Sequence, residues 1–184
     1  MDEWQTGRLL VASPALADGT FDRAVILVLD HDDEGALGVV LNRASAVTVS
    51  ETLHGWNDLA ADPPVLFGGG PVEPTAIVAL GRATAGVAPD GWTAILDRIR
   101  LVDLDTDPVL AAADLERVRV FAGYAGWAPG QLEDEIEQGA WFTVDAGVND
   151  VFTDDPESLW HTVLARQPDE LRLLATFPDD PTMN

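Results

Sequence analysis

A glycine-rich stretch, residues 123–130, constrains the fold of this chain more than any other segment. Three glycines, one proline and two aromatic residues lie within it. It follows an apolar run, Val118 to Ala122, and precedes an acidic run, Gln131 to Gln138. Glycine tolerates backbone angles that a Cβ forbids, and it lets another backbone segment or a ligand come close. The pattern predicts a tight strand-to-helix turn, and such turns often hold binding sites because a helix start offers free N–H groups.

Apolar runs interleave with helix-start signals along the whole chain, which predicts a layered α and β domain. Several neighbouring strands lack a crossover helix, so a purely parallel sheet is not expected. Strands are predicted at residues 8–12, 23–30, 36–41, 65–67, 75–80, 92–96, 100–104, 117–122 and 141–144. Helices are predicted from a capping box at 48–51 to about 60, at 107–116, at 131–138 with a glycine cap at 139, from 155, and at 168–174. Residues 42–47 and 86–91 are predicted to be loops, and 178–181 an extended tail.

The charge of the chain argues against nucleic acid as a partner. Its 184 residues carry a formal net charge of -22, and the ten basic residues are all arginine. Such a chain repels phosphate backbones, so we expect no non-specific nucleic-acid binding.

The sequence also argues against cysteine-dependent sites, a signal peptide and a membrane span. No cysteine is present, which excludes disulfides, thiolate zinc sites and cysteine nucleophiles. The N-terminus lacks a signal-peptide pattern, and no apolar run approaches the ~20 residues that span a bilayer. We therefore expect a cytoplasmic protein without a membrane partner.

No segment of the sequence matches a complete cofactor-binding or metal-binding motif. The triple glycine at 68–70 lacks the lysine that a phosphate loop needs. Residues 30–35 match the start of a calcium loop, but Leu41 stands where the bidentate acid is required. The three histidines, His31, His54 and His161, show no metal-ligand spacing. We expect no cofactor and no metal, and we assign no catalytic residue.

Two interpretations of the glycine-rich stretch remain open. The carboxylates at 133, 134, 135 and 137 could perform acid–base chemistry, although carboxylates in a first helical turn also favour the helix dipole. Trp141 and Trp160 are predicted to be core residues, whereas Trp127 is either a ligand contact or a core plug. Because glycine-dense turns gather at one edge of a sheet, we expect 69–72 and 123–131 to frame one surface depression.

Several motifs together resemble the YqgE/AlgH family of bacterial proteins. The resemblance covers nearly the whole chain, with Ala44 a departure from the family's proline. It rests on residues 7–14 with Asp18 and Phe21, on His31, on 35–38, on Asn42-Arg43, on Gly69-Gly70-Pro71-Val72, on 123–133, on Trp141 and Trp160, and on Pro181-Thr182-Met183-Asn184.

The resemblance implies a single α+β domain spanning residues 1–184, with a mixed and partly barrel-like sheet flanked by helices. Some members of the family are labelled transcriptional regulators, and the resemblance assigns no catalytic residues. We expect a non-enzymatic binding or regulatory protein, monomeric, with a protein or small-molecule partner. The alternatives are a hydrolase that uses carboxylates near 123–135 and a direct DNA-binding regulator, against which the charge argues. The candidate binding surface is Asn42, Arg43, Gly69, Gly70, Pro71, Tyr124, Trp127, Gln131 and Glu133.

Overall fold

The computed structural model describes residues 4–17, 19–84 and 92–178. Asp18, the loop predicted at 86–91 and the terminal motif at 181–184 lie outside the described residues. Ten strands are present in that part of the chain: β1 (Arg8–Ala12), β2 (Val25–Asp32), β3 (Gly35–Val40), β4 (Ala44–Thr48), β5 (Val65–Gly68), β6 (Val72–Ala83), β7 (Thr93–Leu96), β8 (Ile99–Leu101), β9 (Leu115–Trp127) and β10 (Trp141–Asp145). The α-helices there are α1 (Val49–Thr52), α2 (Pro108–Ala111), α3 (Gln131–Glu137), α4 (Val148–Val151), α5 (Leu159–Ala165) and α6 (Asp169–Leu174).

The strands form one mostly antiparallel sheet in the order β10-β1-β2-β3-β9-β6-β8-β7. Strand β5 adds to β9 in parallel, and β4 pairs with β5. This order confirms the α+β class and the mixed sheet. Its two ends, β10 and β7, do not pair with each other, so the described strands do not close into a barrel.

Strands β1 and β2 are buried on both faces, as their nearly continuous apolar runs predict. Leu9 and Leu27 pack into a cluster with α5, whereas Leu10 and Ile26 pack on the opposite face with Leu132 of α3. A third cluster, around Trp56, fills the space beside α1 and α2. Helices thus cover both faces of the sheet.

Local signals located several elements correctly. Strand β1 has the predicted bounds, and β2 and β3, which overlap the strands predicted at 23–30 and 36–41, pair as an antiparallel hairpin. Both bonds of the capping box between Thr48 and Glu51 are present. Gly139 follows α3 with a φ of 79°, the left-handed conformation expected of a helix-ending glycine.

Other boundaries were wrong for identifiable reasons. Helix α1 ends at Thr52 rather than near Ala60, because Gly55 adopts a φ of 88° and turns the chain so that Trp56 is buried. The loop predicted at 42–47 contains β4, an edge strand whose exposed side chains give no apolar pattern. Helix α2 ends at Ala111, since the long strand β9 begins at Leu115. Strand β6 likewise extends well beyond the predicted 75–80.

Within the described ranges, no helix is long and apolar enough to cross a membrane.

Candidate functional site

The glycine-rich stretch is mainly strand, which corrects the predicted turn at 123–130. Strand β9 continues to Trp127, and the chain turns only at 128–130, where Gly130 has a φ of 77°. On one side, β9 pairs first with β5, through Phe121 and Phe67, and then with β3, through Gly126 and Leu37. Gly123 lies where this change of neighbour occurs.

Three glycines let two backbone segments cross at this point, and we call Gly69, Gly70 and Gly123 the glycine crossing. A Cβ on Gly69 would lie 2.2 Å from the carbonyl oxygen of Gly123, and one on Gly70 would lie 2.2 Å from that of Tyr124. Gly123 has a φ of 75°, and a Cβ there would lie 2.4 Å from the carbonyl oxygen of Gly70. Segments 69–72 and 123–131 are therefore close, but through backbone packing rather than across an open depression.

Two further candidate residues flank the glycine crossing. Pro71 is exposed, and Tyr124 is half-buried. Partial burial raises the pKa of Tyr124, and the charge and hydrogen bond of Glu73 raise it further. Glu73 itself has a φ of 42°, a conformation uncommon for a residue with a Cβ.

Helix α3 holds a cluster of two indoles around one carboxylate. Trp127 and Trp141 donate their Nε1–H groups to Glu135 Oε2 at 2.9 and 2.8 Å, and Gln131 donates to Oε1 at 2.9 Å. We call these four residues the indole–carboxylate cluster. Trp127 is only 7% exposed. Of the two interpretations of Trp127, the core plug agrees with this burial and the ligand contact does not; Gln131 is exposed.

Glu133, the next candidate, pairs with a buried histidine. His31 Nδ1 accepts the N–H of Gln5 at 3.0 Å, so this nitrogen carries no proton. His31 Nε2 then bears the proton and donates to Glu133 Oε1 at 3.0 Å. Both ring nitrogens of His31 and one oxygen of Glu133 are thus engaged in holding α3 and the N-terminal segment to β2.

Asn42 and Arg43 lie in a separate concavity of about 290 Å³, which we call the arginine pocket. Trp127, Gln131 and Glu133 are not among the described residues that line it. Its seven lining residues are Asp22, Arg23, Asn42, Arg43, Glu157, Trp160 and His161.

Asn42 shapes the backbone of the arginine pocket. Its Oδ1 accepts the N–H of Val25 at 3.0 Å, and its Nδ2 donates to the carbonyl of Arg23 at 2.8 Å. Only 8% of Asn42 is exposed; its bond to Val25 is buried and its bond to Arg23 is partly buried. Arg23 has a φ of 52°, and strained positions of this kind cluster at functional sites. The buried amide therefore holds Arg23 in its unusual conformation.

The guanidinium of Arg23 is oriented from two sides. It lies 5.0 Å from the centroid of the Trp160 ring, a cation–π distance. Nη1 donates to His161 Nε2 at 3.2 Å, while His161 Nδ1 donates to the carbonyl of Ala175 at 2.9 Å. This arrangement fixes His161 as the neutral tautomer with its proton on Nδ1. Nη2 of Arg23 also donates to the carbonyl of Pro178.

Arg43 provides the second cation of the arginine pocket. Its Nη2 donates to the backbone carbonyl of Asp22, and it makes no ion pair with any described residue. Partial burial lowers the pKa of Arg43, an effect that the nearby charge of Asp22 only partly opposes. The carbonyl of Arg43 accepts the N–H of Gly68 at 2.7 Å, which ties the pocket to the end of β5 beside the glycine crossing.

Of the residues that line the arginine pocket, only Asn42 and Arg43 belong to the binding surface predicted from the sequence. Trp160 is buried as predicted, but its ring face also supports Arg23. His161 follows Trp160 directly, yet no spacing pattern marked it, because its partner Arg23 lies 138 residues away in the chain. The only sequence feature that pointed to this pocket was the adjacent pair Asn42 and Arg43.

A larger, acidic cavity of about 500 Å³ opens elsewhere, lined in part by Asp58, Asp62, Glu116 and Asp154. Arg119 lies in the run Arg117-Val118-Arg119-Val120, whose alternation of charged and apolar residues is typical of a half-exposed strand, yet it is 1% exposed. It donates to the carbonyls of Asp62 and Thr153 at 2.8 and 3.1 Å, joining two walls of that cavity. Burial lowers the pKa of Arg119 to about 10. Among the described residues, no group of three or more histidine and carboxylate side chains is arranged to hold a metal ion.

Comparison with known proteins identifies relatives along almost the entire chain. A UPF0301 protein of Streptomyces avermitilis is 55% identical over 97% of this chain and 95% of its own length. A UPF0301 protein of Mycobacterium tuberculosis is 44% identical over 98% and 91%.

Two solved structures share the fold. A crystal structure of a Corynebacterium diphtheriae protein has a TM-score of 0.90 at 36% identity, covering 96% of this chain and 94% of its own. The solution structure of the AlgH protein of Pseudomonas aeruginosa has a TM-score of 0.70 at 28% identity, covering 97% and 98%. The AlgH-like family profile matches residues 9–172, and the chain therefore belongs to this family, as its motifs indicated.

Proposed function

We propose that this protein is a non-enzymatic binding protein with a regulatory role, and that its ligand occupies the arginine pocket. One observation carries the proposal: a buried amide, Asn42, holds Arg23 in a strained conformation beside the ring of Trp160. Such strain persists only where the surrounding structure enforces it, and it is concentrated at ligand sites. The proposed site keeps Asn42 and Arg43 from the predicted surface.

The glycine-rich segment offers no comparable binding site, which supports the choice of the arginine pocket. The space beside Gly69, Gly70 and Gly123 is filled by backbone. Glu135 accepts hydrogen bonds on both oxygens, so it is poorly suited to act as a general base. The segment is thus better explained as architecture that supports α3 than as a binding surface.

The proposal places the protein in the cytoplasm as a monomer, with a small molecule or a protein as its partner. A net charge of -22 disfavours direct contact with DNA. Any regulatory effect on transcription would then pass through that partner.

A thermal-shift screen tests the proposal. The wild-type chain is heated with a set of anionic, neutral and cationic metabolites, because a ligand that binds only the native state raises its stability. Hits are repeated with Arg43→Met and with Arg117→Met, a matched control at an exposed position outside the arginine pocket. We expect at least one stabilising compound whose effect is lost in Arg43→Met and kept in Arg117→Met. Hits that are insensitive to Arg43 would refute the site.

The hydrolase alternative is favoured by one contact, the pair of His31 and Glu133. Both ring nitrogens of His31 are engaged, so the group of this pair available for acid–base chemistry is Glu133, whose side chain is 37% exposed. Hydrolysis of a chromogenic ester that disappears in Glu133→Gln, with an unchanged melting temperature, would favour this alternative. Equal rates in the two proteins would exclude it.

A further inference from the structure

We infer that the ligand of the arginine pocket is a small oxyanion, a carboxylate or a phosphate monoester, that also carries hydroxyl or amino donors. This inference rests on the proposed binding function and names its ligand class. It follows from the charges, the free donor capacity and the size of the pocket.

The charge balance of the arginine pocket differs from that of the whole chain. Arg23 and Arg43 offset Asp22 and Glu157, and His161 is neutral in its hydrogen-bonded tautomer. The formal charges of the described lining residues therefore cancel, on a protein of net charge -22. An anion that is repelled by most of this surface meets no net repulsion here.

Arg43 has donor capacity for such an anion. A guanidinium offers five N–H donors in a planar fork, and Arg43 directs one nitrogen, Nη2, to the Asp22 carbonyl. Its charge is partly desolvated, as the lowered pKa of Arg43 shows, and no described carboxylate forms an ion pair with it. An oxyanion placed against the fork would form charge-assisted hydrogen bonds and recover the cost of burying the cation.

Arg23 contributes orientation more than free donors. Its guanidinium is held over Trp160 and donates to His161 Nε2 and the Pro178 carbonyl. A planar cation fixed in this way lines the pocket without the entropy cost of ordering a free side chain on binding.

The two carboxylates, Asp22 and Glu157, define the rest of the ligand. They would repel a bare polyanion but accept hydrogen bonds from hydroxyl or ammonium groups placed beside an anionic group. The volume, about 290 Å³, lies at the small end of ligand pockets. These constraints select a compact hydroxylated or aminated acid rather than a nucleotide or a peptide.

Titration with defined probes tests this inference. Glycerol 3-phosphate and malate represent the two oxyanion sources, glycerol is the neutral control, and potassium chloride matches the ionic strength. Binding is followed by the Nε–H signals of the arginines in a ¹H–¹⁵N spectrum and by the melting temperature. We expect one or both oxyanions to move the Arg23 and Arg43 signals, whereas glycerol and chloride leave them in place. The tighter of the two probes identifies the source.

Two variants make the result specific. Arg43→Met should weaken the oxyanion by roughly 10- to 100-fold, the effect of losing one charge-assisted hydrogen bond, while Arg117→Met leaves it unchanged. Glu157→Gln, at an exposed position on the rim, should tighten acetate, an oxyanion without hydroxyl or amino donors, by at least about threefold, since it removes a repelling charge. This gain of affinity cannot arise from misfolding.

The outcomes separate this inference from the proposed function. If neutral or cationic compounds bind in an Arg43-dependent manner and both oxyanions do not, the binding function stands and the ligand class is overturned. If no compound depends on Arg43, the proposed site itself fails. Weaker acetate binding in Glu157→Gln would also overturn the inference.

Discussion

Trp127 and Trp141 donate their indole N–H groups to the same oxygen, Glu135 Oε2, at 2.9 and 2.8 Å. The two rings meet edge to face with centroids 6.1 Å apart. One carboxylate on α3 therefore satisfies two polar groups that the sheet buries at the end of β9 and the start of β10. This contact fixes the helix to the sheet, and it explains why a tryptophan occurs beside so many glycines.

Replacing Trp127 with alanine should cost about 3–5 kcal/mol of unfolding free energy, the usual loss for a buried aromatic side chain. Gln131→Ala, on the exposed face of α3, should change it by no more than about 0.5 kcal/mol. Urea unfolding followed by the remaining tryptophans measures both values. Equal, small losses in the two variants would show that Trp127 is dispensable for the fold and reopen its role in binding.

Gly123→Ala should destabilise the protein severely, by more than about 3 kcal/mol. The new Cβ would lie 2.4 Å from the Gly70 carbonyl oxygen, and the φ of 75° disfavours any side chain. Gly126→Ala is the matched control, because its Cβ would meet no atom closer than 3.8 Å. Thermal melts of the two variants should differ sharply, and similar melting temperatures would contradict the backbone crossing.

Stability should depend on pH through Glu51. Hydrogen bonds from the Thr48 backbone N–H and hydroxyl lower the pKa of Glu51. Because the native pKa lies below the unfolded one, this contribution is complete above the unfolded value, about 4.3. It is lost as the pH falls through the native pKa.

The capping-box effect can be measured with Glu51→Gln. This variant should melt below the wild type at pH 7, and the difference should shrink as the pH falls through the lowered native pKa of Glu51. Glu137→Gln, at an exposed position of α3, serves as the control. A difference that persists unchanged at low pH would show that the ionised carboxylate is not the source of the stabilisation.

Arg119 provides a test of a buried cation. It lies 4.1 Å from the centroid of the Phe67 ring, and its Nε and Nη1 have no hydrogen-bond partner. Replacing such a cation with an apolar side chain of similar length often leaves stability unchanged or raises it. Arg119→Met should therefore lie within about 1 kcal/mol of the wild type or above it, whereas Arg119→Ala should lose about 2–5 kcal/mol by leaving a cavity. Chemical unfolding of both variants measures these free energies. An equally large loss of unfolding free energy in each would show that the guanidinium itself is required.

Random-sequence duplex DNA should not bind measurably at near-physiological salt. The net charge of -22 and the absence of lysine motivate this prediction. Fluorescence anisotropy with a labelled duplex measures it. Micromolar affinity that falls steeply with added salt would reveal a local arginine patch that overrides the global charge.

Local sequence signals predicted the elements whose formation depends on neighbouring residues. The apolar run of β2, the Thr48–Glu51 capping box and the glycine after α3 all act within a few positions, and each was confirmed. The edge strand β4 was not predicted, because its stability comes from pairing with β5 rather than from its own apolar pattern.

Features that depend on long-range contacts could not be predicted in the same way. Glycine was known to permit close approach, but only the structure shows that backbone rather than a ligand fills the space at Gly123. The alternation in 117–122 suggested an exposed Arg119, because nothing local indicates that two distant carbonyls bury it. The arginine pocket likewise joins the start of β2 to α5, segments far apart in the chain.

The position of β1 has a consequence for the newly synthesised chain. Strand β1 lies between β2 and β10, and 135 residues separate Arg8 from Thr143, which its side chain contacts. At translation rates of about 5–20 residues per second, one edge of β1 lacks its partner for on the order of 10 s. An apolar strand with an open edge readily pairs with other chains. The apolar N-terminal hairpin therefore leaves the ribosome well before the residues that cover its open edge are made. We expect general chaperones to bind the chain during this interval.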